Sequence, residues 1–311
     1  MPPLPVVLVL AGGPDAEREV SLMSGRAIAA ALDRNGRYRA ELRTIDRLTP
    51  AALRAMPGDV IFPALHGKYG EGGPLQEVME EDGRPFVGSG VRASRTCIDK
   101  VLTKSVAARA GLRVTDSAVL DPGLTAPPFD FPLVAKPVFE GSTIGLFICR
   151  TPQEWATAHA AACASGKPYM AEPFISGREY TLGLIPGSSR GGVGELRPVP
   201  LIHIAPADGL YDYQSKYFRE DTRYHVAPPV DPAAAEEMVR GTCELARLAG
   251  VRHLCRADFI LDDENRPHFL ELNTLPGFTD HSLVPMAARH IGIEMPELCG
   301  LLVEAALSER R

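Results

Sequence analysis

Val6-Val7-Leu8-Val9-Leu10, then Ala11-Gly12-Gly13-Pro14-Asp15, then a helical pattern from Glu17 to Leu32 with Val20, Leu22, Ile28 and Leu32 apolar, decides the class of the fold. The unbroken apolar run suits a strand buried on both faces, the glycine pair suits a tight loop, and the periodic segment suits a helix. The same rhythm continues downstream. Tyr38 to Ile45 alternates, Thr49-Pro50 offers an N-cap with proline at the first helical position, and Asp59 to Leu65 is another apolar strand. That strand runs into the loop His66-Gly67-Lys68-Tyr69-Gly70-Glu71-Gly72-Gly73. Strands alternating with helices predict a parallel sheet with βαβ crossovers up to about residue 95.

Beyond it the pattern changes. Ala93 to Ala110 reads as one helix, and Pro132 to Lys136 and Gly145 to Cys149 read as strands around a glycine-bearing turn from Val138 to Ile144. Thr151-Pro152-Gln153-Glu154 is a capping box with proline at N1, opening a helix to about Cys163. With the strands Tyr169 to Glu172 and Glu179 to Ile185 these make a second, smaller α+β unit. Gly187 to Gly194 joins two further strands, and Ala205 to Asp221 is a polar loop of a length that marks function or disorder. Asp231-Pro232 caps a helix reaching Ala249, the strands Leu254 to Leu261 and His268 to Asn273 flank the turn Asp262 to Asn265, and helices near Ser282 to His290 and Met295 to Leu307 follow. No segment repeats.

The chain of 311 residues suggests two or three domains at roughly 150 residues each. Its 33 Lys and Arg against 39 Asp and Glu give a net charge of −6 with both signs scattered, so no basic block marks a nucleic-acid ligand. No apolar run approaches the ~18 residues of a membrane span, and Val6 to Leu10 is too short for a signal-peptide core, so a cytoplasmic protein with neither nucleic-acid nor membrane partner is expected. The 6 cysteines never form a C-x-x-C pair, which suits reduced and mostly buried thiols. Gly88-Ser89-Gly90-Val91-Arg92-Ala93 matches a dinucleotide fingerprint but lacks a long preceding strand and an acidic residue at the right distance, so it reads as a turn. Gly187-Ser188-Ser189-Arg190-Gly191 matches a nucleophile elbow without a following helix, and no P-loop is present.

The chemistry concentrates in the late hairpin. Setting Asp258 opposite Glu271 and Arg256 opposite Asn273 puts all of them on one face, while Phe259, Leu261, Leu270 and Leu272 fall on the other, where a core needs them. Asp258, Glu271 and Asn273 offer oxygen ligands to a hard cation such as Mg²⁺, which keeps phosphate or water oxygens as its remaining ligands. A solvated strand face neutralised by Arg256 is the alternative. Candidate phosphate-binding cations are Lys100, Lys136 and Lys216; each also reads as an ordinary solvated lysine, though Lys136 ends the apolar run Phe131 to Ala135. Glu140-Gly141-Ser142-Thr143-Ile144-Gly145 suits either backbone N–H groups approaching a phosphate or a plain hairpin turn.

Taken together, Ala16-Glu17-Arg18-Glu19-Val20-Ser21-Leu22, Leu65-His66-Gly67, Gly88-Ser89-Gly90, Tyr211-Asp212-Tyr213 through Lys216-Tyr217, and His281-Ser282-Leu283-Val284-Pro285 resemble the D-alanine–D-alanine ligases, ATP-grasp enzymes. The resemblance runs in order from about residue 6 to 305. It implies α/β and α+β units in a three-domain ATP-grasp architecture: an N-terminal parallel-sheet domain (1–95), a central subdomain (96–186), and a C-terminal subdomain (187–311) carrying the metal and substrate sites. It also implies a homodimer.

By that resemblance ATP would meet Lys100, Lys136, Lys216 and the loop residues Glu140, Ser142 and Thr143 at its phosphates. Glu172, Pro173, Ile175 and Glu179 would meet it at adenine and ribose. Asp258, Glu271 and Asn273 would hold Mg²⁺, two ions, with Mn²⁺ able to replace them. Glu17 would hold the ammonium of the first D-alanine, with Ser142 and Tyr217 as its hydrogen-bond partners. His66, Ser282 and Leu283 would complete the substrate site, and Arg256 with the Gly277 N–H would stabilise the oxyanion. The implied activity is ATP-dependent joining of two D-alanines through an acyl phosphate, for peptidoglycan precursors. Pro173 stands where the family usually has lysine, Val138-Phe139 replaces a more polar pair, and Thr143 replaces a common serine. A relative that makes a D-alanyl-D-lactate ester commonly has histidine at Tyr217, so tyrosine favours an amine acceptor. Other readings are a D-serine acceptor and a nucleotide-binding homologue without catalysis.

Overall fold

The computed structural model describes residues 3–124, 126–189, 192–206, 221–279 and 281–309. Strands β1 (Val6–Gly12), β2 (Arg39–Ile45) and β3 (Val60–Pro63) form a parallel sheet in the order β2-β1-β3, as the opening pattern predicts. Because side chains alternate along a strand, β1 serves two cores. Leu8 and Leu10 pack with Leu53, Leu75 and Met79 of α2 (Pro50–Arg54) and α4 (Pro74–Asp82), while Val7 and Val9 pack with Ile28 and Leu32 of α1 (Arg18–Asn35). The loop after β3 holds a short helix, α3 (Gly67–Glu71), where the sequence reads only as loop.

The segment read as one helix from Ala93 to Ala110 is two, α5 (Val91–Ile98) and α6 (Lys100–Arg109). Asp99 breaks it: its backbone is extended and its carboxylate accepts from Leu102 N at 3.0 Å, capping the second helix. A four-stranded antiparallel sheet follows, in the order β4 (Ala118–Val119), β7 (Tyr169–Pro173), β5 (Leu133–Pro137), β6 (Phe147–Cys149). Helix α7 (Pro152–Ala164) covers it with Trp155, and starts at the capping box of Thr151 and Glu154 read from the sequence.

The third sheet orders β11 (Arg223–Val226), β10 (Ile202–Ala205), β8 (Arg178–Ser189), β12 (Cys255–Leu261) and β13 (Pro267–Asn273), with β9 (Gly192–Pro198) paired to β8. Strand β8, expected with the second unit, belongs here, because Tyr180, Leu182 and Leu184 share a core with Phe259 and with Met238 and Leu245 of α8 (Pro232–Ala249). Ala107 of α6 and Leu112 just beyond it join that core. Helices α9 (Leu283–His290) and α10 (Met295–Ser308) lie between the first and third sheets: Val284, Leu298 and Leu302 meet Val7, Val9 and Phe62 on one side and Ile185 and Ile202 on the other. All cysteines are free, with Cys97, Cys149, Cys255 and Cys299 buried and Cys163 exposed. Among the described residues no helix is long and apolar enough to cross a membrane.

Candidate active site

The four-stranded and six-stranded sheets face each other across a cleft open to solvent, lined by a few charged groups among apolar side chains as small-molecule sites are. Its lining includes Lys100, Lys136, Glu140, Thr143, Glu172, Pro173, Ile175, Glu179, Asp258 and Glu271, all read from the sequence as site residues. The hairpin register is as expected at its working end, with Arg256 opposite Asn273 and Asp258 opposite Glu271. A bulge then shifts it, so that Phe259 faces Phe269. The extra residue is Leu270, expected in the core. It lines the cleft with Ile260 instead, and Phe269 takes the buried place, its ring edge-on to Phe259 at 5.8 Å.

Asp258 is buried, accepting from Thr181 Oγ1 at 2.7 Å and from Arg256 Nη2 at 2.7 Å and Nε at 2.9 Å. Glu271 meets Lys100 Nζ at 3.1 Å, and Asn273 Oδ1 accepts from Leu275 N at 2.8 Å. These are hard oxygen donors on one strand face, and each carboxylate already draws a cation, so the residues present fit a divalent ion. Among the described residues no group of three His, Cys, Asp or Glu side chains forms a cation site; the set here is two carboxylates and an amide.

Lys100 and Lys136 are both buried, not solvated. Lys100 also donates to the Glu140 carbonyl at 2.5 Å, tying α6 to the loop 138–145. Lys136 Nζ lies 2.9 Å from Glu172 Oε2, and the other oxygen of that carboxylate pairs with Lys104. Burial would raise the Glu172 carboxyl, but Lys136 and Lys104 beside it hold it below its ordinary value. Burial brings Lys104 down to about 8, against the pull of Glu172.

The loop 138–145 carries left-handed residues that are not glycine, Ser142 at φ 53° and Thr143 at φ 63°, a conformation costing about 1–3 kcal/mol each. It is pinned from several sides. Ser142 Oγ donates to Glu17 Oε1 at 2.5 Å, Lys68 Nζ lies 4.9 Å from the centre of the Phe139 ring, and Lys167 meets Glu140 at 2.9 Å. Glu17 at the entry of α1 makes no cap hydrogen bond; its carboxylate is buried and turned to this loop.

Next to Glu17, His66 is buried with Nδ1 3.1 Å from the Leu275 carbonyl and Nε2 3.4 Å from Ser24 Oγ. A carbonyl needs a donor, so Nδ1 carries the proton, and burial keeps the ring below its ordinary pKa despite the Glu17 charge. Ser282 opens α9, accepting from Thr279 N at 2.8 Å; a side chain on Gly277 would meet its Oγ at 3.0 Å. Leu283 begins the helix itself, with its side chain in the core. Lys216 and Tyr217 lie outside the described residues.

Sequence reasoning passed over Lys104, Thr115 and Glu71. Lys104 was legible in principle, since Asp99 as N-cap puts Lys100 and Lys104 one turn apart on the same helix face, whereas Thr115 is found through its contact with Lys104. Glu71 stands in the glycine loop and accepts from Gly67 N at 3.1 Å; burial, with the Glu17 charge, pushes its carboxyl up to about 8.

Comparison with known proteins agrees with this geometry. Residues 125–304 match the family model described as D-ala D-ala ligase C-terminus. The chain is 40% identical over 307 residues to a D-alanine–D-alanine ligase of Bordetella avium, covering 97% of this chain and 95% of that one. It is 39% identical over 307 residues to that of Nitrosomonas europaea, covering 96% of each. The solved D-alanine–D-alanine ligase of Bacillus anthracis in complex with ATP superposes with a TM-score of 0.81 at 28% identity, over 99% of this chain and 98% of that one.

Proposed function

The chain belongs to the D-alanine–D-alanine ligase family, with the ATP-grasp fold, and from that premise we propose how its own residues join two D-alanine molecules at the expense of ATP. The carrying observation is the single cleft in which Asp258 and Glu271 face Lys100, Lys136 and Glu172, roofed by a loop hydrogen-bonded to Glu17. ATP lies along it. Its adenine sits against Ile175 with the 6-amino group donating to Glu172 and to the Pro173 carbonyl, its ribose meets Glu179, and its phosphates meet Lys100, Lys136, Lys216 and the loop residues Glu140, Ser142 and Thr143. Asp258, Glu271 and Asn273 would hold Mg²⁺, two ions in this reading with Mn²⁺ able to replace them; what such ions supply is positive charge against the phosphate oxygens.

Glu17 holds the ammonium of the first D-alanine, supported by Ser142 and Tyr217, so that its carboxylate attacks the γ-phosphoryl group. ADP leaves and an acyl phosphate remains. Ser282 and the Leu283 N–H, at the N-terminal end of a helix, receive the carboxylate of the second D-alanine, with His66 bordering the site. Its free amine attacks the acyl carbon, Arg256 and the Gly277 N–H stabilise the oxyanion, and phosphate departs to leave the dipeptide. The loop 138–145 keeps water from the acyl phosphate. The product suits peptidoglycan precursor synthesis by a cytoplasmic homodimer. The three-unit division is part of this reading, with β8 grouped with the third unit because it pairs with β12.

The purified protein with ATP, Mg²⁺ and D-alanine is expected to release phosphate and form D-alanyl-D-alanine in equal amounts. A panel offering D-lactate and D-serine as acceptors decides the assignment: product with either of them and none with D-alanine alone would overturn it.

A further inference from the structure

Lys104 stands behind the cleft wall, against Glu172 and Thr115, which line it, and no step of this mechanism uses it. It is 3% exposed, and its ammonium is divided between the Glu172 carboxylate and the Thr115 hydroxyl, 2.5 Å away. A lysine so deeply buried persists only where its charge is needed, since removing a charged group from water costs far more than a hydrophobic residue in its place. Its place on the helix says what it serves. Lys100 and Lys104 share one face of α6, one turn apart, the first reaching Glu271 and the second reaching Glu172. The first two turns of α6 thus set one lysine on each of two cleft carboxylates.

Glu172 has a second cation, Lys136, at 2.9 Å, and Lys136 also borders the cleft. A nucleotide phosphate competes for Lys136, whereas Lys104, walled off by Glu172 and Thr115, has Glu172 as the anion it touches, with Asp116 adding a weaker pull from farther away. We infer that Lys104 is a positioning residue that keeps the Glu172 carboxylate ionised and fixed when Lys136 engages the phosphates, and so sets the preference of the site for a 6-amino purine nucleotide over a 6-oxo one. The inference rests on the placement of the adenine beside Glu172 proposed above. An ionised carboxylate accepts from a 6-amino group and repels a 6-oxo group, which offers only lone pairs. Without its remaining cation the buried carboxylate takes up a proton and becomes able to donate, and the distinction collapses.

The test compares ATP with inosine triphosphate, at saturating D-alanine and Mg²⁺, in the wild type, Lys104→Met, Lys104→Arg and Thr115→Val. The wild type is expected to favour ATP in kcat/KM. Lys104→Met is expected to lower the ATP-to-ITP ratio about tenfold or more with the KM for D-alanine unchanged, Lys104→Arg to restore most of it, and Thr115→Val to lower it about threefold. A merely structural lysine would change stability and leave the ratio alone. A wild-type ratio in Lys104→Met overturns the proposal, and if that variant fails to fold, a wild-type ratio in Thr115→Val does so. A wild type that uses the two nucleotides equally would instead remove the base from Glu172, and the proposal with it.

Discussion

At one end of the cleft the Glu271 side chain is 25% exposed and meets Lys100 at 3.1 Å, while at the other Glu172 is 5% exposed and clasped by Lys104 and Lys136. Both are carboxylate–lysine contacts, yet they differ in what a ligand can do to them. A half-open pair can exchange a partner at lower cost, because water and ligand reach the Glu271 carboxylate even though Lys100 is buried. A closed cluster can release one cation only if another stays, and at Glu172 Lys104 stays when Lys136 turns to phosphate. With ATP placed as proposed above, the Glu271 end is the one that rearranges during the reaction, and Glu172 with Lys104 is the part that stays fixed.

The largest way to break this contrast is Arg256→Ala, which removes the oxyanion partner and leaves Asp258 with Thr181 alone among the partners named above. Dipeptide formation is expected to fall about 10²–10³-fold in kcat, measured with product identification; a loss confined to KM would place Arg256 outside the chemistry. Glu271→Gln comes next, with the Mg²⁺ concentration for half-maximal phosphate release rising roughly 10–100-fold. A wild-type metal titration would show that the hairpin carboxylates are not ligands.

A third test sharpens the comparison with a carboxylate that has no lysine named against it. Glu71 titrates near 8 in the folded chain against 4.5 as its ordinary value, so the folded state binds the extra proton. Its contribution to stability is full below about pH 4.5 and is lost as pH rises through 8. Thermal melts of the wild type should decline across that window by at most about 1.4 kcal/mol per pH unit from this group, and Glu71→Gln should flatten the decline. Parallel slopes would mean that Glu71 is ionised in the fold. The smallest effect is expected for Lys167→Ala, since Lys167 is 51% exposed: less than about 0.5 kcal/mol in stability and unchanged turnover. A rise in phosphate release without dipeptide would instead make that ion pair part of the loop closure.

The parts of the molecule legible from sequence are those governed by short periods. Alternation gave the parallel opening sheet and paired Asp258 with Glu271, and the capping residues Thr49, Thr151 and Asp231 marked helix starts that the structure repeats. The failures lie where one residue outweighs a pattern. Asp99 splits a continuous apolar periodicity by capping from within it, and the bulge at Leu270 turns a core residue into a cleft residue, which strict alternation has no means to express. The assignment of β8 to the wrong sheet has another cause, because strand partners are chosen across the whole chain by burial of Tyr180, Leu182 and Leu184. Apart from the hairpin trio Asp258, Glu271 and Asn273 and the candidate cations Lys100, Lys136 and Lys216, the site residues came from motif order rather than geometry. Lys104 and Glu71, passed over, are those whose role depends on neighbours distant in sequence.

The packing of α10 against the first sheet sets the order in which the molecule can be completed. Asn35 Nδ2, at the end of α1, donates to the Pro296 carbonyl at 2.8 Å, and Arg37 pairs with Glu304. Val7 and Val9 therefore wait for Leu298 and Leu302, made far later, before their core is complete. Until those residues have left the ribosome, α1 with Ile28 and Leu32 is the part of that core available to cover them. Such a chain closes like a clasp rather than growing domain by domain, and a nascent molecule stopped before Met295 would carry a parallel sheet with one face only partly covered, a natural mark for chaperones and proteases.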